Sequence, residues 1–500
     1  MQTSSISNRG LAGWLEGAIA VCIFLIAVCA PHSIAATQTF WLLGLVLWVL
    51  RFAFYPRPKL FRTPVDYWLL GFFVLSGVSG VFSYNPIMSI GKMRAASLFT
   101  IVYLVAQNIR SLRLVHLLAL TLIGSCMVNV FWTAGQFALG SGVKVRGVSA
   151  ESPLAKAVFH TLTVKKDTPI VDGDTVWEVD GKPVGSPDEL AAALAGGSGT
   201  AKVGIYRVEW TPVLEVPRGK LLPGATALDQ LGISGWSRGR DWRATGFYNH
   251  WVTYAEVLQL IASLALGLFL AAPRKKSLYG ALLFAAVVGL VFALALTVTR
   301  ASWAGFAVSV AVMLMLSVSR RTLLVAAACA IPLILGGVIL LQQKRNVGFF
   351  DANDQSTSWR QMVWREGFQL LVSKPRHLLV GVGMDSIKGH WREWGLFDNG
   401  RQPVGHMHSN LLQIALERGV PAFIVWLVLL VVYGRMLVGL VRTDGLNEVR
   451  GIALGALGGL VGFFTSGLVH YNWGDSEVVT VFYFIMGLSL VVERSLRGEA

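Results

Sequence analysis

Two histidines, His406 and His408, lie two residues apart where a long polar segment gives way to an apolar run. Imidazole is the side chain whose ordinary pKa lets it give or take a proton near neutral pH. Ionisable groups at the edge of an apolar run are costly and mark functional sites by default. The alternative is a pair of interfacial histidines that only hydrogen-bond lipid headgroups or loop carbonyls. The pair is therefore a candidate for acid–base chemistry, and the rest of the chain has to decide between the two roles.

Three arginines are candidates for binding an anion. Arg243 precedes an apolar run, Arg300 lies between two apolar runs with almost no loop, and Arg360 lies in the second long polar segment. Few acidic residues are placed to pair with the first two, and the planar guanidinium matches phosphate oxygens in two directions. Such a guanidinium can also snorkel to lipid phosphates or bond a helix C-terminal carbonyl. Because Arg243 and Arg300 are expected on the same side as the histidines, we favour a shared anionic ligand, with Arg360 as a weaker third candidate.

The composition excludes a soluble globular protein. Hydrophobic residues make up 54% of the chain and charged residues 14%. Apolar runs of roughly 17–25 residues, each long enough to cross the hydrocarbon core of a bilayer, recur along almost the whole length. The net charge of +15 would suggest nucleic acid in a soluble protein, but the Lys and Arg residues cluster in alternate short loops. That distribution is the positive-inside pattern, so no nucleic-acid partner is expected.

The apolar runs predict an all-α polytopic membrane protein with about twelve transmembrane helices. Both termini are expected to be cytoplasmic, because the basic clusters then face the cytoplasm and both long polar segments lie on the external side. The first run lacks a cleavage pattern and is expected to be a retained helix. The predicted spans cover, approximately, residues 11–30, 37–55, 65–84, 88–108, 115–139, 250–272, 278–299, 301–319, 322–342, 421–433, 451–470 and 477–492.

The predicted spans divide the chain into five segments. Residues 1–139 hold the first five helices, 140–249 form an external segment, 250–342 hold helices six to nine, 343–407 form a large external loop, and 408–500 hold the last three helices. All four cysteines lie inside apolar runs, so no disulfide framework is predicted.

The first external segment contains a predicted α/β insert at about residues 152–218. Residues 175–179 and 201–208 are typical of strands, 180–182 of a turn, and 187–194 of a short helix capped by Ser186. The order of these elements resembles part of a PDZ domain. A clear Gly-Leu-Gly-Phe loop for binding a peptide carboxylate is not found, so a peptide-binding insert and a purely structural one both stay open.

Motifs for nucleotide, metal or paired-carboxylate chemistry are not found in the chain. There is no P-loop and no Cys/His cluster with metal spacing, and nothing around Asp351 and Asp354 suggests a metal site. Gly381-Val382-Gly383 is better interpreted as a turn with unusual dihedral angles than as a nucleotide-binding loop. We therefore expect no cofactor and no metal ion.

Four motifs follow one another along the second half of the chain. They are Arg243-Ala244-Thr245-Gly246-Phe247, Thr299-Arg300-Ala301-Ser302-Trp303, Gly381-Val382-Gly383, and His406-Met407-His408-Ser409-Asn410-Leu411-Leu412-Gln413 with Glu417 and Gly419. Their order resembles that in the O-antigen ligase and polymerase superfamily of bacterial inner membranes. The resemblance covers roughly residues 242–441, and the large insert before Arg243 departs from it.

This resemblance implies a metal-independent glycosyltransferase in the bacterial inner membrane with its active site on the periplasmic face. The donor would be a glycan on undecaprenyl pyrophosphate, and for a ligase the acceptor would be a sugar hydroxyl of lipid A–core. Such chemistry needs a base for the hydroxyl and cations for the departing pyrophosphate. His408 is then the expected general base, with His406 as support or alternate. Arg300 and Arg243 would bind the pyrophosphate, with Arg360 as the weaker third candidate.

Other functions remain open at the level of sequence. An O-antigen polymerase and a protein O-oligosaccharyltransferase share the topology and the residue types, and we favour the ligase because nothing suggests a protein acceptor. A transporter would need charges near the midplane and paired broken helices, whereas the notable charges here gather at one face. A sensor that binds a peptide through the PDZ-like insert is the third class.

Overall fold

The structure is a computed structural model in which the chain forms two compact units. The described residues are 2–160, 165–207, 211–240, 242–321, 355–443 and 447–498. The helical unit comprises Met1–Phe131, Thr245–His390 and Gly405–Ala500, and the α/β unit comprises Trp132–Ala244 and Trp391–Val404.

The N-terminal part of the chain is helical as its apolar runs predict. Local signals set several helix starts: the hydroxyl of Ser33 accepts a hydrogen bond from the N–H of Ala36, and Asn85 caps a helix that begins with Pro86. The helices are α1 (Gln2–Cys29), α2 (Ile34–Arg51), α3 (Asp66–Val81), α4 (Pro86–Gly91), α5 (Met93–Ala96), α6 (Thr100–Asn108) and α7 (Leu112–Leu139), with a 3₁₀ turn at Ser97–Phe99.

The α/β unit is built on one antiparallel sheet with the order β3-β2-β7-β6-β4-β1-β8, and β5 pairs with β4. Two helices accompany the sheet, and inward-facing Val, Leu and Ile side chains form its core. The strands are β1 (Ser141–Val148), β2 (Val158–His160), β3 (Lys165–Asp167), β4 (Thr175–Val179), β5 (Lys182–Pro183), β6 (Thr200–Tyr206), β7 (Val213–Pro217) and β8 (Ile233–Gly239), and the helices are α8 (Pro187–Ala195) and α9 (Ala227–Leu231).

The predicted elements of the insert are confirmed, but the sheet extends beyond the predicted insert. β4, β6 and α8 lie where the sequence indicates, and the hydroxyl of Ser186 accepts a hydrogen bond from the N–H of Glu189 at 3.3 Å. The turn at Asp180 and Gly181 has φ angles of 51° and 75°. β1 and β8 fall outside residues 152–218, so the unit is larger than the insert that the sequence indicated. Its likeness to a PDZ domain stays a prediction.

The remaining elements return the chain to the helical unit, apart from one turn. Leu396–Gly400 belongs to the α/β unit, and Phe397, Asp398 and Asn399 within it have φ angles of 52–57°. The helices are α10 (Trp251–Ala271), α11 (Leu278–Leu296), α12 (Arg300–Ser317), α13 (Gln355–Val372), α14 (Pro375–Val380), α15 (Ser386–His390), α16 (Leu396–Gly400), α17 (Asn410–Arg442), α18 (Asn447–Ser466) and α19 (Ser476–Leu496).

The helices make the protein a multi-pass membrane protein. Ten helical stretches in the described part of the chain are long and apolar enough to cross a membrane, with Pro86–Asn108 counted as one of them. α3 is apolar but shorter, with 16 residues. The predicted span at 322–342 lies outside the described residues. The count of about twelve and the sidedness of the loops therefore stay predictions.

The helical unit has a tightly packed centre formed by α10 and α18. A Cβ atom added to Gly267 of α10 would collide with the backbone of Gly451 and Gly455 of α18. Small residues allow membrane helices to approach this closely, so van der Waals packing and backbone contacts can hold them together. These two helices and α19 are buried along most of their length. They provide a rigid base for the loops at one end of the unit.

Several of those loops contact each other directly. The hydroxyl of Tyr84 lies 2.8 Å from Nε2 of His377, and the hydroxyl of Thr253 donates to Asp475 at 2.5 Å. Gly381 and Gly383 have φ angles of 75° and 96°, which confirms the turn expected at this position. A Cβ on Gly381 would collide with the carbonyl of Glu417, so the turn needs glycine for space as well as for its dihedral angles.

A candidate active site at the histidine pair

His406 and His408 lie against each other in the loop that precedes α17. Their ring centroids are 3.9 Å apart, and the ring planes make an angle of 41°. The backbone N–H of His408 donates to Nδ1 of His406 at 3.1 Å. A neutral imidazole has one donor and one acceptor nitrogen, so this bond places the proton of neutral His406 on Nε2. The structure thus brings together the two histidines that the sequence singled out.

The backbone between the histidines is held on both sides. The N–H of Met407 donates to Oε1 of Gln413 at 2.6 Å, and the indole N–H of Trp364 donates to the carbonyl of Met407 at 2.8 Å. His408 itself has a φ of 48°, a left-handed conformation that costs a non-glycine residue on the order of 1–3 kcal/mol. These hydrogen bonds fix a conformation that the loop alone would not favour.

Both histidines are neutral at physiological pH. Burial and then the charge of His470 are the largest causes that lower the pKa of His406 to about 4. For His408, burial followed by the charges of His406 and Arg360 lowers the pKa to about 2. A desolvated imidazole disfavours its charged form, and neighbouring cations add to that effect. The neutral ring is the form that can accept a proton.

Arg360 is the sequence-predicted arginine that the structure connects most directly to the histidine pair. It lies on α13 (Gln355–Val372). The ring of its neighbour Trp359 packs edge-on against the ring of His408, with centroids 4.5 Å apart. Because the charge of Arg360 lowers the pKa of His408, an anion bound at Arg360 would also act on His408.

Arg300 is the first residue of α12, directly after a connection of three residues. Val298 in that connection has a φ of 51°, which is rare for a β-branched residue. The indole N–H of Trp303 donates to the carbonyl of Leu294 at 2.8 Å and fixes α12 against the end of α11. Arg300 is half-buried at a helix N-terminus, where the backbone N–H groups and the helix dipole also favour an anion.

A buried carboxylate links the start of α12 to the loop after α18. The hydroxyl of Ser302, two residues after Arg300, donates to Oε1 of Glu256 at 3.1 Å, and Nδ1 of His470 lies 3.0 Å from the same oxygen. The charge of His470 lowers the pKa of both His406 and His408. Glu256 therefore joins the start of α12 to His470, whose charge acts on the histidine pair.

Arg243 lies in the α/β unit, where it is half-buried. The described contacts do not place it with the histidine pair, so its role at the site stays a prediction.

Several loops of the helical unit contain residues with a strained backbone. Strained residues of this kind persist only where the surrounding structure holds them, and they cluster at functional sites. In the described part of the helical unit, four non-glycine residues have positive φ angles: Asn249 (55°), Val298 (51°), Asp385 (59°) and His408 (48°). Each of these four residues lies in, or next to, a segment that contributes to the candidate site.

A network around Glu417 supports the histidine loop and was not predicted from the sequence. Glu417 is 2% exposed and accepts hydrogen bonds from the Gln413 amide at 2.9 Å, the Tyr471 hydroxyl at 3.1 Å and Arg418 at 3.2 Å. Gln413 in turn accepts from the backbone of Met407. An acidic residue at the end of an apolar run was the available signal, but Glu417 was predicted only as a position in the last motif.

A polar cleft of about 860 Å³ opens beside His406. Asp385 lies 2.7 Å from Lys92 and 3.1 Å from Lys388. Burial raises the pKa of Asp385, but its hydrogen bonds to the two lysines outweigh that effect, so the pKa is lowered overall. The cleft offers donors and acceptors of both charges, which suits a ligand rich in hydroxyl groups. Its lining includes Lys92, Asp385, Lys388, His406, Gln413 and Tyr471.

Among the residues that the structure describes, no group of three or more His, Cys, Asp or Glu side chains is arranged to hold a metal ion. No residue of the site is assigned to a metal.

Comparison with known proteins identifies the segment that carries most of the site. Residues 284–427 match the family described as O-antigen ligase. The matched segment contains Arg300, Arg360, His406 and His408, and the match confirms the resemblance to the O-antigen ligase and polymerase superfamily. No curated protein matches the chain.

Proposed function

From the O-antigen ligase domain that residues 284–427 carry, we propose that the protein is an O-antigen ligase of the bacterial inner membrane. It transfers a glycan from undecaprenyl pyrophosphate to a sugar hydroxyl of lipid A–core at the periplasmic face. The observation that supports this proposal most directly is the buried, neutral His408 held beside Arg360 and connected through Glu256 to the start of α12.

His408 is the proposed general base. As the acceptor hydroxyl attacks the anomeric carbon of the donor glycan, the imidazole takes the proton of that hydroxyl. The new glycosidic C–O bond forms while the bond between the anomeric carbon and the phosphate oxygen breaks. The undecaprenyl pyrophosphate leaves with the electron pair of that bond. Atoms and charge balance without a further reactant, so the donor's own glycosyl–phosphate bond drives the reaction.

The low pKa of His408 fits a base that the donor activates. A base with a pKa of about 2 is weak, but a nearby anion favours the charged imidazolium. The pyrophosphate bound between the arginines and the histidines brings that negative charge. Donor binding then raises the pKa of His408 toward the range in which an imidazole is an efficient base. In the absence of donor the ring stays neutral and ready to accept a proton.

The leaving group is stabilised by Arg300 in this proposal, together with Arg243. At the N-terminus of α12 the guanidinium acts beside the backbone N–H groups of the first helical turn, and both favour negative charge. Charge develops on the bridging phosphate oxygen as the bond breaks, so cations fixed at this place stabilise the transition state more than the ground state. Arg360 supplies a third positive charge from α13.

The lipopolysaccharide profile of a strain lacking the protein tests the function. A ligase predicts lipid A–core without attached glycan, together with polymeric glycan retained on undecaprenyl pyrophosphate. Complementation with the full chain restores the ladder of long glycans on core. Single repeat units on core would instead identify a polymerase, and an unchanged profile would contradict both activities.

The pH dependence of transfer tests the state of the histidines. Because protonated His408 cannot act as the base, kcat/KM falls as the pH drops through the pKa of the free enzyme. That pKa is far below the ordinary value, so we expect a nearly constant kcat/KM from about pH 8 to about pH 5. The measurement is the initial rate of transfer at sub-saturating donor, in detergent or nanodiscs, across this range.

Arg360→Gln provides a second test of the protonation state of His408, with Arg365→Gln as its matched control. Removing the charge of Arg360 raises the pKa of His408, so the acidic fall in kcat/KM moves to higher pH. Arg365 is an exposed arginine on the same helix, and its replacement leaves the profile unchanged. A wild-type profile that already falls near pH 6.5, or an equal shift in both variants, contradicts the assignment.

A further inference from the structure

A carboxylate is buried inside one of the most enclosed helices of the bundle. Glu256 lies on α10, five residues from its first residue, or about 8 Å along the axis at roughly 1.5 Å per residue. It is 1% exposed. A charge at this depth is costly and marks a functional role by default. Neither the resemblance nor the proposed chemistry assigns it a function.

Glu256 receives four hydrogen bonds, two on each oxygen. Such an oxygen pair offers about four lone-pair sites when ionised, so the four donors match an ionised carboxylate and leave none of its sites open. The donors to Oε1 are Ser302 Oγ at 3.1 Å and His470 Nδ1 at 3.0 Å, and those to Oε2 are Ser466 Oγ at 2.7 Å and Asn472 Nδ2 at 3.1 Å.

One branch of this network ends beside the anion-binding arginine. Ser302 lies on the first turn of α12, two residues after Arg300, and is fully buried. Its bond to Glu256 fixes the first turn of α12 against α10. This turn sets the direction of the N-terminal N–H groups and the position of the backbone of Arg300, from which the side chain extends.

The other branch ends beside the histidine base. The amide of Asn410 donates to Oδ1 of Asn472 at 2.5 Å, and Oδ1 of Asn410 accepts from the N–H of Trp473 at 3.1 Å. The N–H of Asn410 donates to the carbonyl of Gly467 at 2.7 Å. Asn410 is 1% exposed and follows His408 by two residues, so the end of the histidine loop is fixed to the loop after α18.

We propose that Glu256 is a positioning residue that sets the distance between the two halves of the active site, the arginine of α12 and the base His408. The inference rests on the proposed function, in which those halves act on one bond of the donor. Reacting groups must be placed closely, and a displacement of about 1 Å can cost 10²-fold in rate. A single carboxylate that accepts hydrogen bonds from both branches holds Arg300 and His408 at a fixed distance from each other.

The next buried polar residue on α10 shows that helix packing alone does not require this carboxylate. Gln259 is also fully buried, and its amide has no hydrogen-bond partner among the described residues. A Cβ on Gly462 would collide with the Gln259 side chain, and one on Gly305 would lie only 3.1 Å from it, so Gln259 fills the same interface without a charge. Four donors converge at Glu256, the position on α10 where the two branches of the network meet.

The test separates the two branches by their kinetic effects in the full-length enzyme. Ser302→Ala cuts the branch to Arg300, so we expect the KM for the lipid-linked donor to rise up to about tenfold with a smaller change in kcat. Asn410→Ala cuts the branch to His408, so we expect kcat to fall by about tenfold with little change in donor KM. Glu256→Gln keeps the shape of the side chain but replaces one accepting oxygen with an NH₂ group, which cannot accept the hydrogen bonds on that side. We expect kcat to fall by about 10²-fold.

Ser309→Ala is the matched control. Ser309 is a buried serine on the same helix as Ser302, and it donates to the carbonyl of Gly458 at 2.6 Å, away from both branches. The Ser309→Ala variant removes a comparable hydrogen bond, so its kcat and its KM for the donor should match those of the wild type. Membrane abundance and thermal stability are measured for each variant.

The outcomes distinguish this inference from the proposed function. If Ser302→Ala and Asn410→Ala behave like Ser309→Ala, or change KM and kcat in the same way as each other, the positioning role is wrong. If Glu256→Gln does not accumulate in the membrane, the two branch variants decide the question. Full transfer by His408→Ala would instead contradict the proposed function, whatever the Glu256 variants show.

Discussion

Replacing His408 with alanine should lower the rate of glycan transfer by about 10²–10⁴-fold, the usual contribution of a general base. The hydroxyl of a sugar is a poor nucleophile unless its proton leaves in the transition state, and alanine offers no acceptor. The two hydrogen bonds to the backbone of Met407 stay in place, so the loop keeps these supports although the ring contact with Trp359 is lost. The measurement is transfer in membranes together with the amount of protein present.

His390→Ala is the matched control for the His408 variant. His390 is a half-buried histidine at the end of α15, with its ring 5.8 Å from that of Tyr84 rather than in the histidine pair. Its replacement should leave transfer close to the wild-type rate. His406→Ala should have an intermediate effect, since it removes the acceptor for the N–H of His408 but not the base. Normal transfer by His408→Ala, with the protein present in the membrane, would show that the base lies elsewhere.

The histidine pair could be found in the sequence, but its protonation state could not. The two-residue spacing and the adjoining apolar run predicted a functional site at residues 406–408. The pKa shifts depend on burial and on charges contributed by α13 and by the loop after α18, which are distant in the chain. Hydrophobic patterns locate helices well, but they do not show which loops meet at the end of a bundle.

Glu256 shows the same limit for a residue that was not predicted from the sequence. A single acidic residue in the apolar run 250–272 was a visible signal of a buried charge. The predicted site residues all lie at one membrane face, and Glu256 is not among them. Its partners come from α12, from α18 and from the loop after α18, so no local pattern could have predicted the four hydrogen bonds.

The α/β unit shows where local patterns are sufficient. Strand alternation and the Asp-Gly turn predicted β4, and a serine cap predicted the start of α8. β1 was overlooked although Val143 and Val145 alternate with Lys144 and Arg146, which is typical of a half-buried strand. Its pairing with β8, about 90 residues later, depends on tertiary structure.

Arg300→Lys should reduce transfer by about 10–100-fold although the charge is retained, since hydrogen bonds to charged groups contribute about 1.5–3 kcal/mol each. Lysine is a compact cation that cannot present the planar pair of N–H groups to two phosphate oxygens. Arg300→Ala removes the charge as well, and the loss should reach about 10²–10³-fold, as for other donors that stabilise a developing anion. The measurements are kcat and the KM for the lipid-linked donor.

The two variants of Arg300 also separate ligand binding from membrane anchoring. Arg320, three residues after the last residue of α12, is exposed, and Arg320→Lys is the matched control. If Arg300 only snorkels to lipid phosphates, Arg300→Lys keeps full activity, since either cation can reach a headgroup. If it binds the pyrophosphate, the variant loses rate while the control does not. Added inorganic pyrophosphate should inhibit the wild type and be a weaker inhibitor of Arg300→Lys, because the bidentate contact is lost.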